Sequence, residues 1–206
     1  MSTPVYNFFK KTLKDLPEMS DVTDKIILST KGTPMDYSAA YSGLVKNATF
    51  GQVEQASKWY VDAERIAEKV AENLNTTLEV GATVVSAFSP RERWSVNVAR
   101  AIAFSLGQEV TCLKNNLVMA NNALTLGFDA LKGAKTNAFA RAIAGNEQAV
   151  VIDVWMLRAV GIEKKTPTLN QYRELVEAVK KTAFDFGMTP RAMQALIWIV
   201  VRGSSQ

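Results

Sequence analysis

The chain has 206 residues, 48% of them hydrophobic and 21% charged, which is the size and balance of one folded domain and excludes a disordered chain. With no histidine and a single cysteine, Cys112, it excludes an internal disulfide, cysteine or histidine metal sites, an iron–sulfur cluster and histidine-activated nucleophiles, leaving Lys, Asp, Glu and Tyr for proton or covalent chemistry. A net charge of +4 favours a polyanionic partner, no apolar run nears the ~18 residues that cross a bilayer, and Met1-Ser2-Thr3-Pro4 carries no secretory pattern, so the expectation is a cytoplasmic protein (host cytoplasm if viral) with no membrane partner.

In chain order, residues 1–50 read as an N-terminal arm packing on a main domain of residues 51–206. Tyr6, Phe8, Phe9, Leu13 and Leu16 fall near helical spacing before Pro17, Gly32 and Pro34 interrupt it. From Gln52 to Asn75 an amphipathic pattern puts Val53, Ala56, Trp59, Tyr60, Ala63, Ile66, Ala67, Val70, Ala71 and Leu74 on one helical face. A second apolar segment runs from Leu78 to Phe88. Ser89-Pro90-Arg91-Glu92 then reads as N-cap, first helical position and capping-box acid, which predicts a helix from about Pro90 to Phe104 with Trp94, Val98, Ala101 and Ile102 inward. Further helices are predicted at 115–129, 135–144, 153–160, 169–186 and 190–202, with Gly187 closing one and Thr189-Pro190 opening the last. No segment alternates with period two and no long repeat is visible, so the expected fold is all-α.

The segment richest in chemistry is Leu131-Lys132-Gly133-Ala134-Lys135-Thr136, followed by an apolar helix and by Val151-Ile152-Asp153. It sets an amine and an acid 18 positions apart on either side of one helix that begins at a glycine-containing turn. Such a hairpin aims backbone N–H groups and a helix N-terminus outward, which favours a phosphate, and Lys132 and Lys135 add charge there. The same residues also suit a plain helix connection with solvated lysines, and Asp153 also suits the N-cap of the segment Val154 to Ala159.

Leu131, Gly133, Lys135 and Thr136, followed by Ile152-Asp153-Val154-Trp155-Met156-Leu157-Arg158, resemble the helix-hairpin-helix superfamily of base-excision DNA glycosylases, of the endonuclease III and 8-oxoguanine glycosylase types. Upstream, Thr83-Val84-Val85-Ser86-Ala87-Phe88-Ser89-Pro90 is similar to a segment that leads into a pocket-lining helix in that family. Downstream, Gln194-Ala195-Leu196-Ile197-Trp198 is similar to its closing helix, so the resemblance spans about residues 52–203. It implies a two-lobed helical bundle with a helix-hairpin-helix motif, a compact phage-type member without iron–sulfur cluster, metal or other cofactor, and double-stranded DNA as partner; the sequence leaves the oligomeric state open, with a monomer slightly favoured. The departures are a hairpin two residues short, without the family's proline and second glycine, and Trp155 in place of the family's histidine. Two registers follow: one puts Lys135 at the family's lysine nucleophile, the other, without a gap, puts Asn137 there.

The resemblance further implies Asp153 and Lys135 as catalytic residues, DNA contacts by Lys132, Gly133, Ala134, Thr136, Arg158, Arg91 and Arg93, and a base pocket of Ser86, Phe88, Asn97 and Trp155. The expected activity is excision of a damaged or modified base after base flipping, with AP-lyase activity in the Lys135 register. The alternatives are a glycosylase-like enzyme that modifies a DNA base, a non-catalytic DNA-binding module, and a helical interaction protein. Arg100, Lys164-Lys165 and Lys180-Lys181 suit either a phosphate track or a solvated face. Trp94 and Trp198 read as core residues with a polar handle, and Cys112 as a small buried hydrophobe.

Overall fold

In the computed structural model, which describes residues 36–203, every regular element is a helix: α1 (Tyr37–Lys46), α2 (Phe50–Leu74), α3 (Leu78–Ala87), α4 (Trp94–Ser105), α5 (Lys114–Leu126), a 3₁₀ turn (Gly127–Ala130), α6 (Ala134–Ile143), α7 (Val154–Arg158), α8 (Leu169–Asp185) and α9 (Pro190–Arg202). The expected apolar positions in residues 1–35 lie outside the described residues. Among the described residues no helix is long and apolar enough to cross a membrane. None of their His, Cys, Asp and Glu side chains cluster in threes fit to hold a metal ion.

The helix boundaries follow local chemistry. α2 opens on a capping box, with Thr49 and Gln52 each bonding the other's backbone N–H, and closes at Asn75 in the left-handed conformation, φ 51°. α9 opens on the Thr189 hydroxyl, which accepts from Ala192 N, with Pro190 in the first turn. The predicted face of α2 is the buried one, led by Ala56, Tyr60, Ala63, Ala67 and Val70.

α3 is buried all round, from Val80 to Ala87. It packs on α2, α4, α5, α6 and the 3₁₀ turn, while α9 packs on α1, α2, α7 and α8. Gly81 sets the α2–α3 approach: a Cβ there would lie 2.2 Å from the Ala67 carbonyl oxygen. α1, within the stretch read as an arm, is joined to the core by Tyr41, fully buried, whose hydroxyl donates to the Met156 carbonyl at 3.1 Å.

Three expectations are corrected. Helix α4 starts at Trp94, not Pro90, because the Ser89 hydroxyl donates to the Ser86 carbonyl at 2.8 Å, Arg91 takes φ 64°, and the Glu92 carboxylate pairs with Arg100 instead of reaching back to cap. The helix expected over 115–129 ends at Leu126, since Gly127 turns at φ 51° where the Glu79 carboxylate leaves no room for a Cβ and accepts from Phe128 N at 3.1 Å. Cys112 is half-buried, its sulfur 3.5 Å from the Leu113 carbonyl.

Candidate functional site

Asp153 is the N-cap of the single-turn helix α7, and both of its carboxylate oxygens are held. One accepts from Trp155 N at 2.9 Å and Met156 N at 3.1 Å, and the other accepts from the Trp198 indole N–H of α9 at 3.0 Å. The N-cap role and the site role therefore reside in one side chain, oriented from two directions. Behind it, burial pushes the Tyr60 phenol well above its ordinary range; the Arg191 guanidinium over the ring opposes this and the Asp153 charge adds to it. Tyr41 is raised likewise, first by burial and then by Asp153. Both phenols act as protonated donors, Tyr60 to Gln194 Oε1 at 2.6 Å.

In front of Asp153 lies a cavity of about 120 Å³ between α2, α4, α6 and α9. Four rings wall it: Trp59 stands 5.2 Å from Trp94, 5.8 Å from Phe139 and 5.9 Å from Trp198, centre to centre. Each ring comes from a different helix. Such a box suits a flat or cationic guest, which stacks on the ring faces.

Lys135 lines the same cavity from the exposed first turn of α6. Phe139, four residues on, is its neighbour on that face, so one helical stripe supplies both a charge and a wall. No carboxylate among the described residues pairs with this lysine. Asn137 faces elsewhere: its amide donates to the Phe128 and Leu131 carbonyls at 2.9 and 3.2 Å, and its oxygen accepts from Arg141 Nε at 2.8 Å. Lys135 thus lines the same cavity as Asp153, and Asn137 does not.

The segment expected to form the hairpin connects the 3₁₀ turn Gly127–Ala130 to the start of α6 through Leu131, Lys132 and Gly133. Gly133 occupies the N-cap position at φ −79° without a side-chain cap, Lys132 and Ala134 are exposed, and the Thr136 hydroxyl donates to the Gly133 carbonyl at 3.1 Å. Of the expected base-pocket residues only Asn97 lines the cavity, at 1% exposure. Ser86 is buried and donates to the Thr136 carbonyl at 2.7 Å, tying α3 to the first turn of α6, while Phe88 is fully buried against Phe104. Trp155 lies outside the cavity, its ring under the exposed Arg158 guanidinium at 4.6 Å. Arg91 and Arg93 are exposed on the loop before α4, and Lys164 and Lys165 are exposed before α8. Arg100 is engaged by Glu92; Lys180 and Lys181 pair with Glu177 and Asp185 on their own helix.

Trp59, Phe139, Glu92, Gln194 and Arg202 also line the cavity and were not among the expected site residues. Gln194 carried a signal, as the long polar residue within the run Met193 to Ile197 that α9 buries. Trp59 and Phe139 carried none, since an inward aromatic looks the same whether it meets core or cavity.

A family model described as a family of unknown function (DUF7178) matches residues 26–205. No curated protein and no solved structure matches the chain.

Proposed function

We propose that this chain, which belongs to the DUF7178 family, is a DNA glycosylase that turns a nucleotide out of the duplex and releases its base. The observation that carries this reading is the meeting of Asp153 and Lys135 at one cavity walled by four aromatic rings. Packing supports it further. α3 gathers α2, α4, α5 and α6, α9 gathers α1, α7 and α8, and α2 joins the groups, as in a two-lobed bundle with its pocket at the junction.

In this reading the α5–α6 connection is a shortened helix-hairpin-helix that meets phosphate through the first-turn N–H groups of α6 and the Lys132 side chain. The extruded base stacks against the ring faces that line the cavity, with unstacking from the duplex costing a few kcal/mol. As the bond from base to sugar breaks, the electron pair leaves with the base and positive charge grows on the sugar ring. Asp153, held at both oxygens, stabilises that charge; water or the neutral Lys135 amine bonds to the anomeric carbon, and the proton it gives up passes to the departing base. Attack by Lys135 forms an aminal whose ring carbon–oxygen bond then breaks, the oxygen taking a second nitrogen proton, to give a Schiff base that leads to strand cleavage, whereas attack by water leaves an abasic site.

Base release from duplexes carrying single damaged or modified bases tests the reading. Asp153→Asn should retain salt-sensitive DNA binding and lose release by at least ~10²-fold. Borohydride should trap a covalent DNA complex if Lys135 attacks, and Lys135→Ala should abolish it; trapping that persists assigns another nucleophile. Salt-sensitive binding without release from any duplex would leave a non-catalytic DNA-binding module in its place.

A further inference from the structure

We infer that Asn97 is the specificity-determining residue of the cavity, and that its ligand is a single-ring heterocycle presenting a ring N–H beside a carbonyl; this rests on the base-pocket reading above. Two independent features point to it, one of shape and one of unmet polarity.

The cavity, about 120 Å³, is smaller than the ~150 Å³ of an engineered site that holds one benzene ring. Size therefore favours one ring.

Asn97 stands one turn after Trp94 on α4 and is 1% exposed, and its Oδ1 is buried without a hydrogen-bond partner. A buried acceptor left unmet in a folded protein calls for a cause, and here the side chain lines the cavity. The terminal torsion of an asparagine is soft and roughly two-fold, so rotation about it turns Oδ1 to a guest. Gln194, which also lines the cavity, is fixed the other way round. The Tyr60 hydroxyl donates to its Oε1 at 2.6 Å, which leaves the amide nitrogen as a donor. An acceptor on α4 and a donor on α9 complement a ring edge that carries N–H and C=O side by side, as in the imide edge of a pyrimidine-2,4-dione.

Three tryptophans in the cavity wall provide a readout that needs no excision. 1-Methyluracil, whose one ring N–H lies between two carbonyls, should quench tryptophan fluorescence saturably, while 1,3-dimethyluracil, lacking that N–H, and hypoxanthine, with the same edge on two rings, should each bind at least tenfold more weakly. Asn97→Ala should remove the preference for 1-methyluracil over 1,3-dimethyluracil while melting no lower than the parent without ligand, since it deletes an unsatisfied group. Equal binding of 1-methyluracil and 1,3-dimethyluracil by the parent, absence of saturable quenching by 1-methyluracil, or discrimination that survives in Asn97→Ala overturns the role of Asn97. Tight binding of hypoxanthine overturns the single-ring limit. Base discrimination without release from any duplex supports the inference and refutes the glycosylase reading. Release of a base regardless of methylation at its ring N–H overturns the inference and leaves that reading standing.

Discussion

Replacing Asp153 by asparagine swaps one acceptor oxygen for an NH₂ group at a carboxylate that receives three N–H donors, two from the α7 backbone and one from Trp198. If the amide oxygen keeps the two backbone donors, its nitrogen faces the Trp198 indole N–H, donor against donor. That leaves a part-buried donor unpaired, at about 1–3 kcal/mol, and removes the charge from the two remaining bonds, at roughly 1 kcal/mol more. A total near 3 kcal/mol corresponds to a fall in Tm of roughly 6–12 °C for a chain of this length. Trp198→Phe deletes the indole donor, so in the asparagine background it removes the clash along with the ring. Thermal or urea unfolding of the parent, Asp153→Asn, Trp198→Phe and the double variant should therefore show non-additivity of about 1–3 kcal/mol, with the double variant more stable than the sum of the two losses. Additivity to within ~0.5 kcal/mol would mean that Trp198 does not hold the carboxylate, and the argument that Asp153 is oriented from two directions would fail.

Gly81→Ala should destabilise by at least about 1–3 kcal/mol, because the new methyl would meet the Ala67 carbonyl oxygen, a backbone atom that cannot swing away; an unchanged unfolding midpoint would contradict the close α2–α3 approach. The alkaline pH dependence draws on Tyr41, Tyr60 and Tyr172, whose phenols burial raises above the ordinary 10.0, so the unfolded chain releases their protons first. Stability from this source is whole below pH 10 and falls above it, by up to ~1.4 kcal/mol per pH unit for each tyrosine. Tyr41→Phe should flatten the alkaline decline measured by thermal unfolding, and an unaltered slope would count against burial as its cause. For DNA affinity measured against salt concentration, Lys132→Ala should reduce the slope by about 0.9 if this lysine neutralises one phosphate; an unchanged slope would remove it from the DNA interface.

How much of this was legible in the sequence depends on how local its causes are. Helices α2, α6, α8 and α9 follow their apolar periodicity and caps, and Thr189-Pro190 opens α9 where local chemistry puts it. The Ser89 to Glu92 stretch has the same kind of local signature, yet a side chain eight positions away, Arg100, takes Glu92 and the helix begins at Trp94. Helix α1 was missed because its anchor, the Tyr41 bond to Met156, spans 115 positions. Lys135 and Asp153 were legible as a pair because one helix and its return separate them. The aromatic box was not, since Trp59, Trp94, Phe139 and Trp198 come from four helices and each satisfies an ordinary core pattern. What periodicity does register is its own violation. Asn97 and Gln194 are polar residues on faces that α4 and α9 bury, and both line the cavity. A buried amide costs stability unless it is bonded, so in an all-helical chain the polar breaks in apolar faces are a better guide to the site than the aromatics surrounding it.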